Sequence, residues 1–452
     1  MYICHRIKSN YYYHVMIRKM IAISSTMHFI VDGLCLCCLY IMADQLSTPS
    51  LIDVFILYNV LAFLTQPLTG MWADYLKRKH WMLLLSVVLM TFAVLSSSLV
   101  EMVCGFSSDG GVMFVATLLG MGNSMFHVWG GQQTAVKTGN DIRALGVFVS
   151  TGAFGLSVGM LFCSWALIHI LLLSYCVAAV VYVRFDEREW GAGYASHVPE
   201  RRFSRLMIWL SVLAIMTVVF LRSFVGGSFT SGMVRNSTVI LAIGAVSMFG
   251  KMAGGWLARY LGIVWSMLLV VTGVFVCMLL PNADMPEMFV GLFLVNCTMP
   301  VTLYLANVVM RGREGLAFGL LAAALIPGFL LSMNISITST SLSPLLMALV
   351  PTIAIEYGVL RLLRERRKGV LCSSVIVNIL TNIPLNLYVL AGNDSLIHII
   401  IAEFIVICVE ALWYYCYLRR WRQAVVYSVL CNLISFLVGL LVLLLCDLLF
   451  NF

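Results

Sequence analysis

The chain has 452 residues, of which 62% are hydrophobic and 11% charged, with a formal net charge of +8. A soluble domain uses roughly 25% charged residues to cover its surface, so composition excludes a soluble globular fold. The positive balance does not indicate nucleic acid either, because Lys and Arg are confined to the ends of apolar runs, where they report topology.

Apolar runs of about 20 residues, long enough to cross a hydrocarbon core as a helix, recur along the whole chain. They predict spans at 19–42, 51–72, 80–100, 111–136, 144–164 and 166–184, then 205–227, 237–258, 263–281, 287–310, 314–335 and 341–360, and finally 370–391, 396–418 and 423–448. Most stay apolar on every face, as Leu83 to Leu99 and Leu433 to Leu445 do. Backbone amides in lipid must be satisfied within the span, and the alternation that a membrane barrel requires is absent, so the spans are helices. Residues 1–19 are polar, aromatic and basic, and the first apolar run holds Asp32, unlike a cleavable signal; Met16 or Met20 are alternative starts. The cysteines include Cys35, Cys37 and Cys38 within the first span and form no pair of CxxC motifs, so they read as small apolar fillers. No metal site and no cofactor are expected.

Basic residues collect on one side of this layout: Arg18 and Lys19, Lys77 to Lys79, Lys137 and Arg143, Arg184 to Arg205, Arg259, Arg311 and Arg313, Arg361 to Lys368, and Arg419 to Arg422. The other side carries Asp44, Glu101, Asp109, Asp284, Glu287 and Asp394, with Arg235 as its basic residue. The N-terminus is therefore expected in the cytoplasm and the protein in a cell membrane. The stretch 186–204 combines charges with Gly and Pro and reads as a cytoplasmic linker between bundles at 1–185 and 205–362. A three-helix extension follows at 370–452.

The segment Gly70-Met71-Trp72-Ala73-Asp74-Tyr75-Leu76-Lys77 returns as Gly255-Trp256-Leu257-Ala258-Arg259-Tyr260-Leu261-Gly262, with Gly, Ala, Tyr and Leu each 185 residues apart. A repeat of six spans with the same tight turn at the same place is how two-fold-related transporters are assembled. In these features the sequence resembles the major facilitator superfamily, whose loop pattern G-x-L-A-D-R-x-G-R-K is matched at Gly70, Ala73, Asp74, Arg78 and Lys79 and departs at Trp72, Tyr75 and Lys77.

Within that superfamily the first half is similar to the fosmidomycin-resistance group of drug exporters, on His28-Phe29 with Asp32-Gly33, Gln66-Pro67-Leu68-Thr69-Gly70 and Gly120 through His127. Val128-Trp129 stands where that group has Pro-Glu. The glycines at 152, 155 and 159 allow close helix packing. The resemblance covers about residues 19–360, is weaker in the second half, and stops beyond 369. It implies two six-helix bundles around a midplane cavity, an all-α membrane protein, and a cytoplasmic gate at Gly70, Asp74, Arg78 and Lys79, for which Arg143 is the expected counter-charge of Asp74.

Asp32 lies mid-span, where an ionisable group costs a few kcal/mol unless it faces a cavity or partner. His28 is one turn earlier on the same face. Together with His127 they form either a proton-carrying group or a packing hydrogen bond between helices. Gln132, Gln133, Arg222 and Lys251 are substrate-cavity candidates; either cation can meet an anionic substrate or pair with Asp32 across the cavity, with snorkelling for the cations and interhelical bonding for the glutamines as the plain alternatives. Trp129, Trp165, Trp209 and Trp413 fit interfacial belts or the core. His169, Glu356 and Asp447 sit near span ends and are assigned no role. In the extension Asn382, Glu403, Glu410 and Asn432 form either an ion path or a satisfied polar network.

No GxSxG, HExxH, Walker or dinucleotide motif is present, so an enzyme is not expected. The expected function is secondary active transport, with export of a small amphipathic molecule in exchange for protons, that is, an antiporter acting in efflux. The alternatives are a metabolite uptake permease and a non-transporting sensor or assembly protein that keeps the fold. Lipid, a small-molecule substrate and protons are the expected partners, and nucleic acid is not.

Overall fold

A computed structural model describes residues 2–43, 48–104, 109–189, 205–231, 233, 236–279, 285–334, 352–353, 355–390 and 396–450. Among the described residues there is no strand, and the protein is an all-α membrane protein. The helices are α1 (Tyr2–Ala43), α2 (Thr48–Asn59), α3 (Gln66–Tyr75), α4 (His80–Cys104), α5 (Asp109–Lys137), α6 (Ile142–Leu161), α7 (Trp165–Glu189), α8 (Arg205–Ser231) and α9 (Ser237–Leu261). They continue as α10 (Ile263–Leu279), α11 (Met285–Val309), α12 (Glu314–Ala323), α13 (Leu325–Asn334), α14 (Lys368–Leu390), α15 (Leu396–Leu418) and α16 (Trp421–Phe450).

Eleven of the described stretches are long and apolar enough to cross a membrane, and Ile263–Met278 and Gly369–Asn382 are shorter apolar helices. The predicted span at 341–360 and the linker at 186–204 fall largely outside the described residues. The first span is longer than the hydropathy suggests: α1 runs unbroken from Tyr2, because the polar N-terminal residues contain neither Pro nor Gly to stop it. The second span is one helix interrupted by a π turn at Val60–Leu64. Pro67, in the first turn of α3, has no N–H to continue the ladder, and the backbone loosens one turn ahead of it. The break between α12 and α13 likewise precedes Pro327.

The chain divides into two compact units, one of residues 1–202, 215–277 and 283–334 and the other of residues 203–214, 278–282 and 335–452. In the first, helices approach through glycine. A Cβ on Gly155 or Gly159 would strike the carbonyls of Phe29 and Gly33, so α6 lies directly on α1. The repeated turn residues behave alike: Gly70 packs on the backbone of Gly315 at the start of α12, and Gly255 packs on the backbone of Ile142 at the start of α6. The residue pair 185 positions apart in sequence thus makes equivalent close approaches in space.

The second unit has its own core of Leu360, Val377, Tyr414, Ala424 and Cys431. It also contains a polar network. Asn378 donates to Glu356 (2.6 Å) and Asn382 donates to the Asn378 side-chain oxygen (2.9 Å), while Thr381 (3.0 Å) and Asn432 both donate to Glu410. Glu356, expected at a solvated span end, is fully buried: its helical turn faces α14 rather than the end of the span, a placement that single-span hydropathy does not register. Glu403, expected in this network, makes none of these bonds and is only half-buried, seven residues before Glu410 on α15.

Candidate functional site

The first unit encloses a cavity of ≈ 230 Å³ whose polar wall is His28, Asp32, Gln66, His127, Arg222, Lys251 and Thr302. The rest is apolar, including Phe63, Leu156, Met299 and Phe318. The lining comes from α1, the π turn, α3, α5 and α6 in the first half and from α8, α9, α11, α12 and α13 in the second. Both halves of the repeat therefore contribute to one chamber.

At its centre His28 Nε2 lies 3.4 Å from one oxygen of Asp32 and His127 Nε2 lies 3.3 Å from the other. All three side chains are buried. The spacing of four residues puts His28 and Asp32 on one face of α1, and α5 supplies His127 opposite them. The backbone of Gly152 fills the remaining side so closely that a Cβ there would collide with both Asp32 and His28. Asn123, one turn before His127, also donates to Asp32 (3.3 Å).

The ring tautomers follow from the outer nitrogens. His28 Nδ1 is 2.7 Å from the Phe148 carbonyl and His127 Nδ1 is 3.0 Å from the Asn123 carbonyl. A carbonyl can only accept, so each Nδ1 carries a hydrogen. In the neutral rings both Nε2 atoms then present lone pairs to a carboxylate, acceptor against acceptor. The contacts become attractive only when a proton occupies the gap, on a ring or on Asp32. The geometry therefore favours a proton shared among the three groups. The cluster's three ligand-type atoms lie within 4.8 Å of one another, as a metal site would require. Arg222 and Lys251 on the same chamber wall oppose a divalent cation there.

Arg222 and Lys251, expected as cavity candidates, line the chamber. Gln132 and Gln133 do not. Gln132 donates to Asp74 at 2.7 Å, and Gln133 faces a separate small crevice with Lys137 and Tyr182. At about 100° per residue, positions five and six beyond His127 turn away from the face it presents and lie nearer the helix end.

The expected pairing of Asp74 with Arg143 is not formed. Arg143 makes a bidentate pair with Asp141 (3.1 and 2.7 Å), the N-cap of α6, and its guanidinium lies 5.4 Å from the Trp256 ring. Asp74 instead accepts the backbone N–H groups of Gly315 (2.8 Å) and Leu316 (2.9 Å) at the start of α12. A helix N-terminus offers unsatisfied donors and a positive dipole end, which serve a carboxylate as well as a cation does. Lys79 closes the end of α3 by donating to the carbonyls of Ala73 and Asp74. Arg78 is exposed.

Motif reading marked Gly152 as a helix-packing glycine without its place against Asp32 and His28, and it missed Asn140, which joins the two halves. The Asn140 amide donates to the Tyr304 carbonyl (3.2 Å) and its oxygen accepts from Asn307 (3.0 Å). Its positive φ of 62° in the turn before α6 is the one local trait that marks it. Trp129 is core, edge-on to Tyr182 at 4.8 Å, and Trp165 donates to Glu101 (3.1 Å).

No protein-family model and no curated protein matches the chain. Among solved structures it is similar to the E. coli fucose:proton symporter FucP, with a TM-score of 0.49 and 12% identity over 70% of this chain and 90% of that one. A second structure of FucP, described as a major facilitator superfamily transporter in the outward conformation, has a TM-score of 0.49 and 11% identity over the same shares. A bacterial homologue of the iron transporter ferroportin in an outward-facing state has a TM-score of 0.47 and 12% identity, over 86% of this chain and 99% of that one.

Proposed function

We propose that this protein is a secondary active transporter of the major facilitator type, working by alternating access and coupled to protons at His28, Asp32 and His127. The observation that carries the reading is a buried carboxylate held between two imidazoles, in a chamber walled by both halves of an internal repeat. Repeat-built transporters place substrate and coupling ions at that interface, and a buried ionisable group facing such a cavity is a functional candidate by default. The contacts of Asp74 and Gly70 with α12 support reading this region as the gate of a carrier, and the distribution of basic residues supports a cytoplasmic side for it in a cell membrane.

The substrate is a small molecule with apolar surface, given the lining. Export in exchange for protons is the direction that the likeness to drug exporters implies. Uptake of an anionic metabolite is the second reading, supported by Arg222 and Lys251 on the chamber wall.

Proteoliposomes loaded with a pH-sensitive dye test the core of this. Adding a cell metabolite extract outside should drive protein-dependent proton flux, and Asp32→Asn should cut it by roughly tenfold or more. Flux that Asp32→Asn leaves intact would remove protons from the mechanism. Absence of any flux with the wild type would favour a non-transporting sensor or assembly protein.

A further inference from the structure

The charges in the chamber do not balance. Among the described residues its wall carries Arg222, Lys251 and a single carboxylate, Asp32. Asp32 is already engaged by His28, His127 and Asn123. Neither Arg222 nor Lys251 pairs with a carboxylate among the described residues, and Arg222 Nη1 is buried without a hydrogen-bond partner. Lys251 lies within electrostatic reach of both Arg222 and Asp32. A cation kept out of water with no counter-charge is costly, and removing that cost is a driving force for binding.

We propose that Arg222 and Lys251 form the anion-binding end of the substrate site, that the substrate class is a small amphipathic organic anion such as an aryl or branched-chain carboxylate, and that it crosses together with protons rather than against them. The proposal rests on the chamber being the substrate site, and it replaces exchange with cotransport.

The class follows from the two ends of the chamber. The guanidinium and ammonium groups supply donors in the geometry that carboxylates accept. Phe63, Leu156, Met299, Phe318, Leu321 and Leu325 offer an apolar wall for the rest of the molecule. The direction follows from linkage. Even with the His–Asp–His cluster deprotonated the chamber is positive, and each proton added makes it more so. Protonation therefore strengthens anion binding, and by reciprocity a bound anion strengthens proton binding. Positive linkage loads both ligands on the same face of the carrier, whereas exchange requires each to displace the other.

The titratable groups facing Asp32 are His28 from α1, His127 from α5 and Lys251 from α9, with Cys35 and Tyr58 behind it. The thiol and phenol are uncharged across the neutral range, so the pH response comes from the cluster and from Lys251, and Asp32→Asn, which leaves Lys251 in place, tells the two apart.

The test uses the purified full-length protein in detergent, with benzoate as probe and benzamide and benzylamine as its neutral and cationic counterparts, read by thermal shift at constant ionic strength. Benzoate should stabilise the protein, and Arg222→Gln and Lys251→Gln should each weaken it by roughly tenfold, the size of one lost charged hydrogen bond. Arg222→Lys, which keeps the charge, should retain most of the effect and shows that a loss is not misfolding. Benzoate should bind more tightly at about pH 6 than at about pH 8, across the titration range of an imidazole–carboxylate cluster. Asp32→Asn should bind tightly at both. Preference for benzylamine, no shift with benzoate, or a shift that survives both neutralisations overturns the anion site. Benzoate binding that needs Arg222 and Lys251 but ignores pH overturns the cotransport, and it does so whether or not the liposome assay shows proton flux.

Discussion

Asp74 and Gly315 are 241 residues apart in sequence and share a hydrogen bond of 2.8 Å, in which a carboxylate from the first half of the repeat caps a helix from the second. The bond with Leu316 makes the cap bidentate, and Gln132 holds the same carboxylate from α5. Gly70, one turn earlier on α3, has no Cβ to obstruct the approach.

That geometry separates a cap from an ion pair. Asp74→Ala should destabilise the protein by about 1 kcal/mol, the usual worth of an N-cap, and lower its melting temperature. Combined with Arg143→Gln, the two losses should simply add, because Arg143 spends its charge on Asp141. A coupling energy well above about 0.5 kcal/mol between them would restore the ion-pair latch.

Gly152→Ala should abolish proton-coupled flux, because its methyl group would occupy the space between Asp32 and His28. Gly358→Ala, with nothing within 4 Å of the new atom, serves as the control and should leave flux unchanged. Measuring both in the same liposome assay tests whether clearance at residue 152 is specific to the cluster.

In the second unit, Glu410→Leu should cost about 1–3 kcal/mol, since it leaves one Asn432 N–H without its acceptor, while the other keeps the Ser428 carbonyl and the Thr381 hydroxyl falls back on the Val377 carbonyl. Glu410→Gln, which keeps an acceptor oxygen, should cost less. If unfolding of the two variants is indistinguishable, the network does not organise these three helices.

Acid stability provides a further check outside the membrane spans. Three hydrogen bonds from Arg367 hold Glu365 well below its ordinary value, at about 2, and Tyr427 adds a fourth. A depressed folded-state pKa stabilises the protein above the unfolded value, near 4.3 for Glu, and that contribution is lost as pH falls towards 2. Glu365→Gln should therefore lower the melting temperature at neutral pH and make little difference at about pH 2. Equal losses at both would show that the charge of Glu365 contributes nothing.

The chain alone determines that this is a helical membrane protein, because apolar length and the need to satisfy every amide in lipid leave no other solution. It also determines which residues are expensive: Asp32 in a span announces itself by cost, and His28 by its four-residue spacing. The repeat at 70 and 255 is visible for the same reason, since a close helix approach demands glycine locally. What the sequence does not carry is which expensive groups meet. His127 reaches Asp32 only because α5 crosses α1 at that height, and Gln132 misses the chamber through a helical phase that depends on the same crossing. Arg143 lies on the expected side yet turns to Asp141, two residues away, because a local cap forms without any tertiary cost. Glu356 looked like a span end and is fully enclosed. Periodicity and transfer energy act along one helix at a time, whereas the partner of a buried charge is set by packing between helices, and that is decided only when the whole bundle closes.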